Sequence, residues 1–250
     1  MNIADDIYLG TFSIGSGLLP VAAGSADPTV NSGVGPMGRI SIRGKVPLTL
    51  GVANVAALQH MTNGTSLTLA AATGTTLGSA PDGSGRPVIV FDVERCPSLT
   101  STANLSGINF LATGFDEYGR LQTSLLAGPS NNTVHFTKAF QSVLSIVPNT
   151  TDGTDSVSAG TSDVFGLPFA CFDAGMLMPK WAGALALDAG TLVTADTTSP
   201  ATSSTGDPAG TYATSSASNG ANQLFLWQHL NGNQCGPQAL VTQALGVTPA

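Results

Sequence analysis

The chain predicts an all-β fold, an antiparallel β-sandwich of jelly-roll type with extended arms and long Ser/Thr/Gly-rich loops. Three observations point there. Residues 104–147 alternate apolar-rich runs (108–113, 121–126 and 133–147) with polar turns at Asp116-Glu117-Tyr118-Gly119 and at 128–132. Two turns so close together leave no room for crossover helices, so neighbouring strands should pair as hairpins in an antiparallel meander. Eight or more short strands with turn signals follow one another along the chain, and no period repeats, which disfavours a solenoid or propeller.

Charge is the unusual feature of the composition. Asp, Glu, Lys and Arg make up 9% of the 250 residues, where soluble domains average about 25%. Ser, Thr, Ala and Gly take their place. Such a surface suits a protein packed against other protein, where a buried charge would need a partner. The formal net charge of −7 with eight Lys and Arg argues against a nucleic-acid partner, because phosphate binding needs a clustered basic face. Those eight are scattered, and Arg39, Arg43 and Lys45 read as a solvated strand face. Cys96, Cys171 and Cys235 are odd in number and far apart, so they read as free, largely buried thiols. The first ten residues lack the pattern of a secretory signal, and no apolar run approaches a membrane span, so synthesis in the cytoplasm without a membrane partner is expected. The sequons at Asn63, Asn104, Asn131 and Asn149 then carry no chemistry.

In chain order, residues 1–37 read as an N-terminal arm or loop, with a short apolar stretch at 7–14 and a Gly/Pro/Ser/Ala segment after it. Residues 38–193 are the expected sandwich core. Within it, Ile40, Ile42, Leu48 and Leu50 alternate as in a half-buried strand interrupted at Pro47. The spacing of Val52, Val55, Ala56 and Leu58 predicts a short helix over 52–61, closed by Asn63-Gly64. Strands are expected at 67–72 and 88–93, with a loop at 74–85 between them. Residues 152–163 read as a turn-rich insert around a short strand at 156–159. Residues 164–169, dense in large apolar side chains, read as a buried crossing between two sheets. Residues 184–193 form a strand with Ala-rich ambiguity toward helix. Residues 194–222 are the most biased piece and read as a flexible Ser/Thr/Ala-rich surface loop. Residues 223–250 supply the final strand at 223–230 and a C-terminal segment at 237–247, either a short helix or an arm.

Three segments then carry a resemblance: Thr113-Gly114-Phe115-Asp116-Glu117-Tyr118-Gly119, Lys138-Ala139-Phe140, and Gly160-Thr161-Ser162-Asp163-Val164-Phe165-Gly166-Leu167-Pro168. They resemble, in order, the TGxDxxG, KAF and GTxDxxGLP segments of the jelly-roll decoration (cement) proteins of tailed, especially short-tailed, bacteriophages. The similarity covers roughly residues 39–169; the first 37 residues and the tail beyond about 180 are not matched. The resemblance implies a non-enzymatic virion protein on the capsid exterior. Its partners would be the major capsid protein and itself, as a homodimer or homotrimer at a symmetry axis.

No catalytic, cofactor-binding or metal-binding set is read from the chain, and no cofactor is expected. His60, His135 and His229 with Cys171 or Cys235 lack any local nucleophile signature. Residues 149–155 have the oxygens and Gly of a calcium loop but not the closing bidentate acid, and read as a turn. Asp92 and Glu94, two apart on one strand, suggest a carboxylate pair for glycoside hydrolysis, but Arg95 beside them favours a solvated strand end. Phe165, Phe169, Phe172 and Trp181 read as packing between sheets rather than as a sugar platform. Two rivals to the decoration role remain: a tail, head-fibre or receptor-binding virion component, and a carbohydrate-binding β-sandwich.

Overall fold

The computed structural model describes residues 3–8, 39–172, 174, 177–184, 186–196 and 206–230. These residues contain fourteen strands and no α-helix. The strands are β1 (Ile3–Tyr8), β2 (Arg39–Lys45), β3 (Ala56–Met61), β4 (Thr75–Ser79), β5 (Pro87–Asn104), β6 (Asn109–Phe115) and β7 (Leu121–Ala127) in the first half. The second half has β8 (Ser130–His135), β9 (Phe140–Pro148), β10 (Asp152–Gly166), β11 (Leu177–Trp181), β12 (Thr191–Val193), β13 (Thr211–Ala213) and β14 (Leu224–Leu230). All pairings are antiparallel. One sheet of four strands runs β1-β2-β14-β11, and one of ten runs β12-β13-β10-β5-β9-β6-β7, with β3, β4 and β8 attached to its long strands. The larger sheet curls into a half-barrel.

Two strands organise it. β5 has 18 residues and pairs with β4, β8, β9 and β10; β10 has 15 and pairs with β3, β5 and β13. A flat strand has two edges, so this many partners requires bends. The register shifts between Val90 and Arg95 against β9, and between Thr161 and Phe165 against β5. Such bulges turn a strand and re-aim its side chains. The main core fills the curl with Val55, Leu99, Phe110, Phe136, Phe140 and Val157 among others. A second core, including Phe165, Leu167, Leu177, Trp181, Tyr212, Leu224 and Leu226, joins the four-stranded sheet to the far end of β10 and to β13. Fully burying such side chains stabilises by roughly 1.5–3 kcal/mol each.

Several expectations are corrected. Residues 52–61 are turn and then strand, because β3 pairs with β10 through an irregular register, burying Ala56 and Met61 at its ends and leaving Leu58 exposed. The run 67–72 is not a strand, although its Leu67 and Ala70 N–H groups donate to the carbonyls of Ile146 and Val55, and the expected loop at 74–85 holds β4, paired with β5. The run 133–147 is two strands broken at 136–139, and β8 begins at Ser130, inside the expected turn. Only β6 and β7 form the expected neighbouring hairpin; β8 crosses to β5. The turn-rich insert 152–163 is instead most of β10, whose weak β-formers are held by partners on both edges. Of 184–193, only the last three residues are strand. Part of the N-terminal arm, Ile3–Tyr8, is sheet, paired with β2, while residues 9–37 lie outside the described residues. The loop at 194–222 carries β13 and the buried Asp207, Tyr212 and Ser218, with 197–205 outside the described residues. Strand β14 matches the final strand; the segment 237–247 lies outside the described residues.

Gly160 marks the closest approach in the fold. A Cβ there would stand 1.8 Å from the Gly51 carbonyl oxygen, whereas one at Gly153 on the same strand would meet nothing within 4 Å. Gly160→Ala should therefore cost about 3 kcal/mol or prevent folding, since overpacking without room to shift costs about 1–3 kcal/mol or more. Gly153→Ala should stay within about 0.5 kcal/mol of the parent. Urea unfolding of both variants measures the difference.

Candidate functional site: a buried charge cluster at the junction of the sheets

The bulged stretch of β5 places three charged side chains together. Arg95 is 1% exposed, Glu94 is 5% exposed, and Asp92 is part-buried. The expected solvated strand end is thus interior, and so is the face expected of Arg43 and Lys45: Lys45 is 3% exposed and the Arg43 side chain 12%. A guanidinium leaves water only where acceptors replace it. Arg95 donates to Asp92 Oδ2 at 2.6 Å and to the Leu48 carbonyl at 3.2 and 3.3 Å, and lies over the Phe165 ring at 5.3 Å. Asp92 Oδ2 in turn accepts the Leu48 N–H at 2.6 Å.

Glu94 stands at the centre of a second group. One carboxylate oxygen accepts the Glu117 N–H at 3.3 Å, and the carboxylate lies so close to Gly166 that a Cβ there would meet it at 2.6 Å. Around it a small pocket is lined by Asp116, Tyr118, Arg120, Gln122, Leu167 and Asp207. Asp116 shapes the β6–β7 turn, accepting the N–H groups of Tyr118 and Arg120 at 2.9 Å and pairing with the Arg120 guanidinium at 2.6 Å. The turn also needs Gly119 at φ 76, a left-handed conformation that glycine adopts without strain. Tyr118 donates to the Pro168 carbonyl at 2.5 Å and is approached by Arg43 and Arg120 at 5.7 and 5.2 Å from its ring centre. Arg43 of β2 pairs with Glu117, an ion bond from one sheet to the other. Gln228 of β14 repeats the link, donating to the Phe169 carbonyl at 2.6 Å and accepting its N–H at 3.1 Å.

Asp207 closes the group from the far side. Its carboxylate accepts the N–H of Ala139 at 2.9 Å, of Ala209 at 2.8 Å and of Gly210 at 3.0 Å. Gln122 donates to the Ala139 carbonyl. The three segments singled out in the sequence, 113–119, 138–140 and 160–168, therefore meet at one place through Tyr118, Ala139 and Gly166.

Burial raises the Glu94 carboxyl well above its ordinary range, the neighbouring Glu117 carboxylate adds to the rise, and Lys45 opposes it. Burial raises Asp207 to about 6 against its three N–H donors and Lys138. Burial lowers the Lys138 amine to about 8, while Asp207 and Asp196 pull it upward. Arg95 is drawn down by burial and held up by Asp92 and Asp163. The arrangement can take up and release protons inside the protein. Cys96 is buried with its thiol pushed well up, which leaves it a poor nucleophile.

Other candidates fall elsewhere. His60 Nδ1 donates to the Asp155 carbonyl on the β3–β10 side, His135 contacts the Phe136 carbonyl, and the His229 side chain lies outside the described residues. Cys96 and Cys171 are buried, and Cys235 lies outside the described residues. The expected turn at 149–155 is a bend at 149–150 followed by the start of β10, where Asp152 Oδ1 accepts the N–H groups of Thr154 and Asp155 at 2.9 and 3.0 Å. Phe165 and Trp181 are buried in the second core with Phe172 against them. Sequence reading missed Lys45, Glu117, Lys138 and Asp207 as one group because they are far apart along the chain. A usable cue was the group Asp92, Glu94 and Arg95, three charges following the apolar run 88–91 in a chain otherwise poor in charge.

Asp92→Ala should destabilise by about 3–5 kcal/mol, because it leaves a buried guanidinium without its anion, while Arg95→Met should cost less. Urea midpoints of the two variants test the order. A second expectation concerns pH. Asp207 binds its proton more tightly folded, at about 6, than its ordinary 3.8. Between those values the folded chain holds more protons than the unfolded one, so stability should fall as pH rises from about 4 to about 6, by up to about 3 kcal/mol. Glu94 adds a fall of the same sign above its ordinary 4.5. Asp207→Asn should flatten the profile, as followed by unfolding at a series of pH values.

No family model matches this chain, and neither any curated protein nor any solved structure matches it.

Proposed function

We propose that this chain is a non-enzymatic structural virion protein, a jelly-roll sandwich that binds the outer surface of a phage capsid and clamps neighbouring major capsid subunits, as a homodimer or homotrimer at a symmetry axis. The observation that carries the reading is where the charges lie. In a chain with 9% charged residues, Arg43, Lys45, Glu94, Arg95, Asp116, Glu117, Lys138 and Asp207 are drawn into or against the interior. The outer surface keeps a few charges, such as Asp82 and Arg86, among hydroxyls, small residues and exposed aliphatics such as Leu58, Leu77, Leu121 and Leu125. A surface sparse in charge on a rigid β scaffold forms protein interfaces with few ions to desolvate. A clamp needs only contact area, roughly 1,200–2,000 Å² at each joint. The meeting of the three resembling segments at one junction supports the same reading, since it gives their side chains a common structural purpose.

The expected result is that purified protein sediments with capsids lacking it and raises the temperature at which they release their contents. Absence of binding, together with unchanged capsid fragility, contradicts the proposal. Imaging of the particle separates the close rival: many copies over the shell support decoration, and one ring at a single vertex supports a tail or fibre component.

A further inference from the structure

Residues 206–210, Gly-Asp-Pro-Ala-Gly, hold the bond Asp207–Pro208; the chain has one other Asp–Pro bond, Asp27–Pro28, outside the described residues. Such a bond joins a carboxylate able to reach its own carbonyl carbon, through a small ring, to a nitrogen that carries no hydrogen and leaves as a basic secondary amine. At Asp207–Pro208 the fold assembles what that reaction needs. Both residues are buried. The carboxylate is folded back over the bond: one oxygen accepts the N–H groups of Ala209 at 2.8 Å and Gly210 at 3.0 Å, and the other that of Ala139 at 2.9 Å. The Asp207 main-chain carbonyl accepts two further N–H groups, from Asp196 at 2.9 Å and from Gly210 at 3.3 Å. Paired donors of this kind stabilise negative charge that develops on a carbonyl oxygen. Pro208 lines the junction pocket together with Glu94, an acid 5% exposed. A turn at 207–210 explains the bonds from Ala209 and Gly210, but it requires neither the Asp196 donor, brought in from another segment, nor a buried acid in the pocket beside the proline.

We infer that Asp207–Pro208 is a self-cleaving peptide bond, with Asp207 as nucleophile and Glu94 as the acid. The inference stands apart from the capsid reading. A carboxylate oxygen of Asp207 attacks the Asp207 carbonyl carbon, and the N–H groups of Asp196 and Gly210 hold the resulting oxyanion. The bond to the Pro208 nitrogen breaks as Glu94 passes its proton to that nitrogen. The cyclic anhydride left on Asp207 takes up one water, which restores the side-chain carboxyl, creates the new α-carboxyl and returns a proton to Glu94. Water is the one co-reactant. Burial serves both groups, keeping the proton on Glu94 well above the ordinary carboxyl range and setting Asp207 at about 6, where its nucleophilic form is populated near neutrality. The pieces stay together after cleavage, because β13 lies between β10 and β12 and β14 between β2 and β11.

The test incubates the folded full chain near neutral pH and weighs it by mass spectrometry under denaturing conditions. Pieces 1–207 and 208–250 should accumulate, their masses summing to the parent plus one water, while light scattering of the undenatured sample keeps the parent mass. The rate should be at least about tenfold above that of the same bond in urea, since a single oxyanion donor is worth about 10²–10³ in rate. Asp27–Pro28, the same chemistry without this site, should break no faster folded than unfolded. Pro208→Ala keeps the carboxylate and its donors but makes the leaving nitrogen a poorer one, so it should slow cleavage at least about tenfold with an unchanged circular dichroism spectrum; Glu94→Gln should do the same. An intact bond in the folded parent, or equal rates folded and in urea, overturns the inference. An unbroken chain lighter by one water means that Lys138, whose amine faces Asp207, has captured the carboxyl as an amide, and overturns it as well.

Discussion

A guanidinium held away from water needs acceptors, and Arg95 finds them for its two terminal nitrogens, though not for its Nε, at the point where the two longest strands bend. Asp92 supplies the anion, and the Leu48 carbonyl supplies the remaining acceptor. Neither is near Arg95 in an unbent strand arrangement by accident. The register shifts opposite each other in β5 and β10 bring the 47–51 segment over the charge and leave Glu94 aimed at the opposite group of carboxylates. Removing the charge pair would remove the reason for that geometry.

The same economy of charge explains how the sheets join. The four-stranded sheet meets the larger one through a mixed contact, apolar at Phe165, Leu224 and Leu226 and polar at Arg43–Glu117 and Gln228–Phe169. Apolar contacts supply most of the stabilisation and tolerate sliding, whereas ion pairs and paired amide bonds fix one register. With much of the polar specificity spent inside, the exterior carries few charges, which suits the contact-area role proposed above.

The all-β class was legible because its cues are local. Val88 to Val93 is a short, largely β-branched apolar run after Pro87, and the Asp116–Gly119 turn carries its own signals in Asp116 and Gly119. Residues 52–61 misled because Val52, Val55, Ala56 and Leu58 satisfy helical spacing equally well; pairing with β10 decided the matter, and left Val52 and Leu58 exposed. β10 was underestimated because its Gly, Asp and Ala residues are depleted in strands generally, and its length comes from partners on both sides rather than from propensity. The charge cluster had no local pattern at all. Lys45, Glu94, Glu117 and Asp207 come together only once four distant segments are in place, so no spacing rule could reveal it.

The central claim is that this chain grips its partner through uncharged surface while its charges work inside. The salt dependence of binding to capsids lacking the protein tests it most directly. Raising ionic strength from about 0.05 M to about 0.5 M shortens the screening length several-fold, and the account predicts an affinity that changes less than about twofold or tightens slightly. A fall of about tenfold or more over that range would mean that exposed ion pairs carry the contact, and would contradict it.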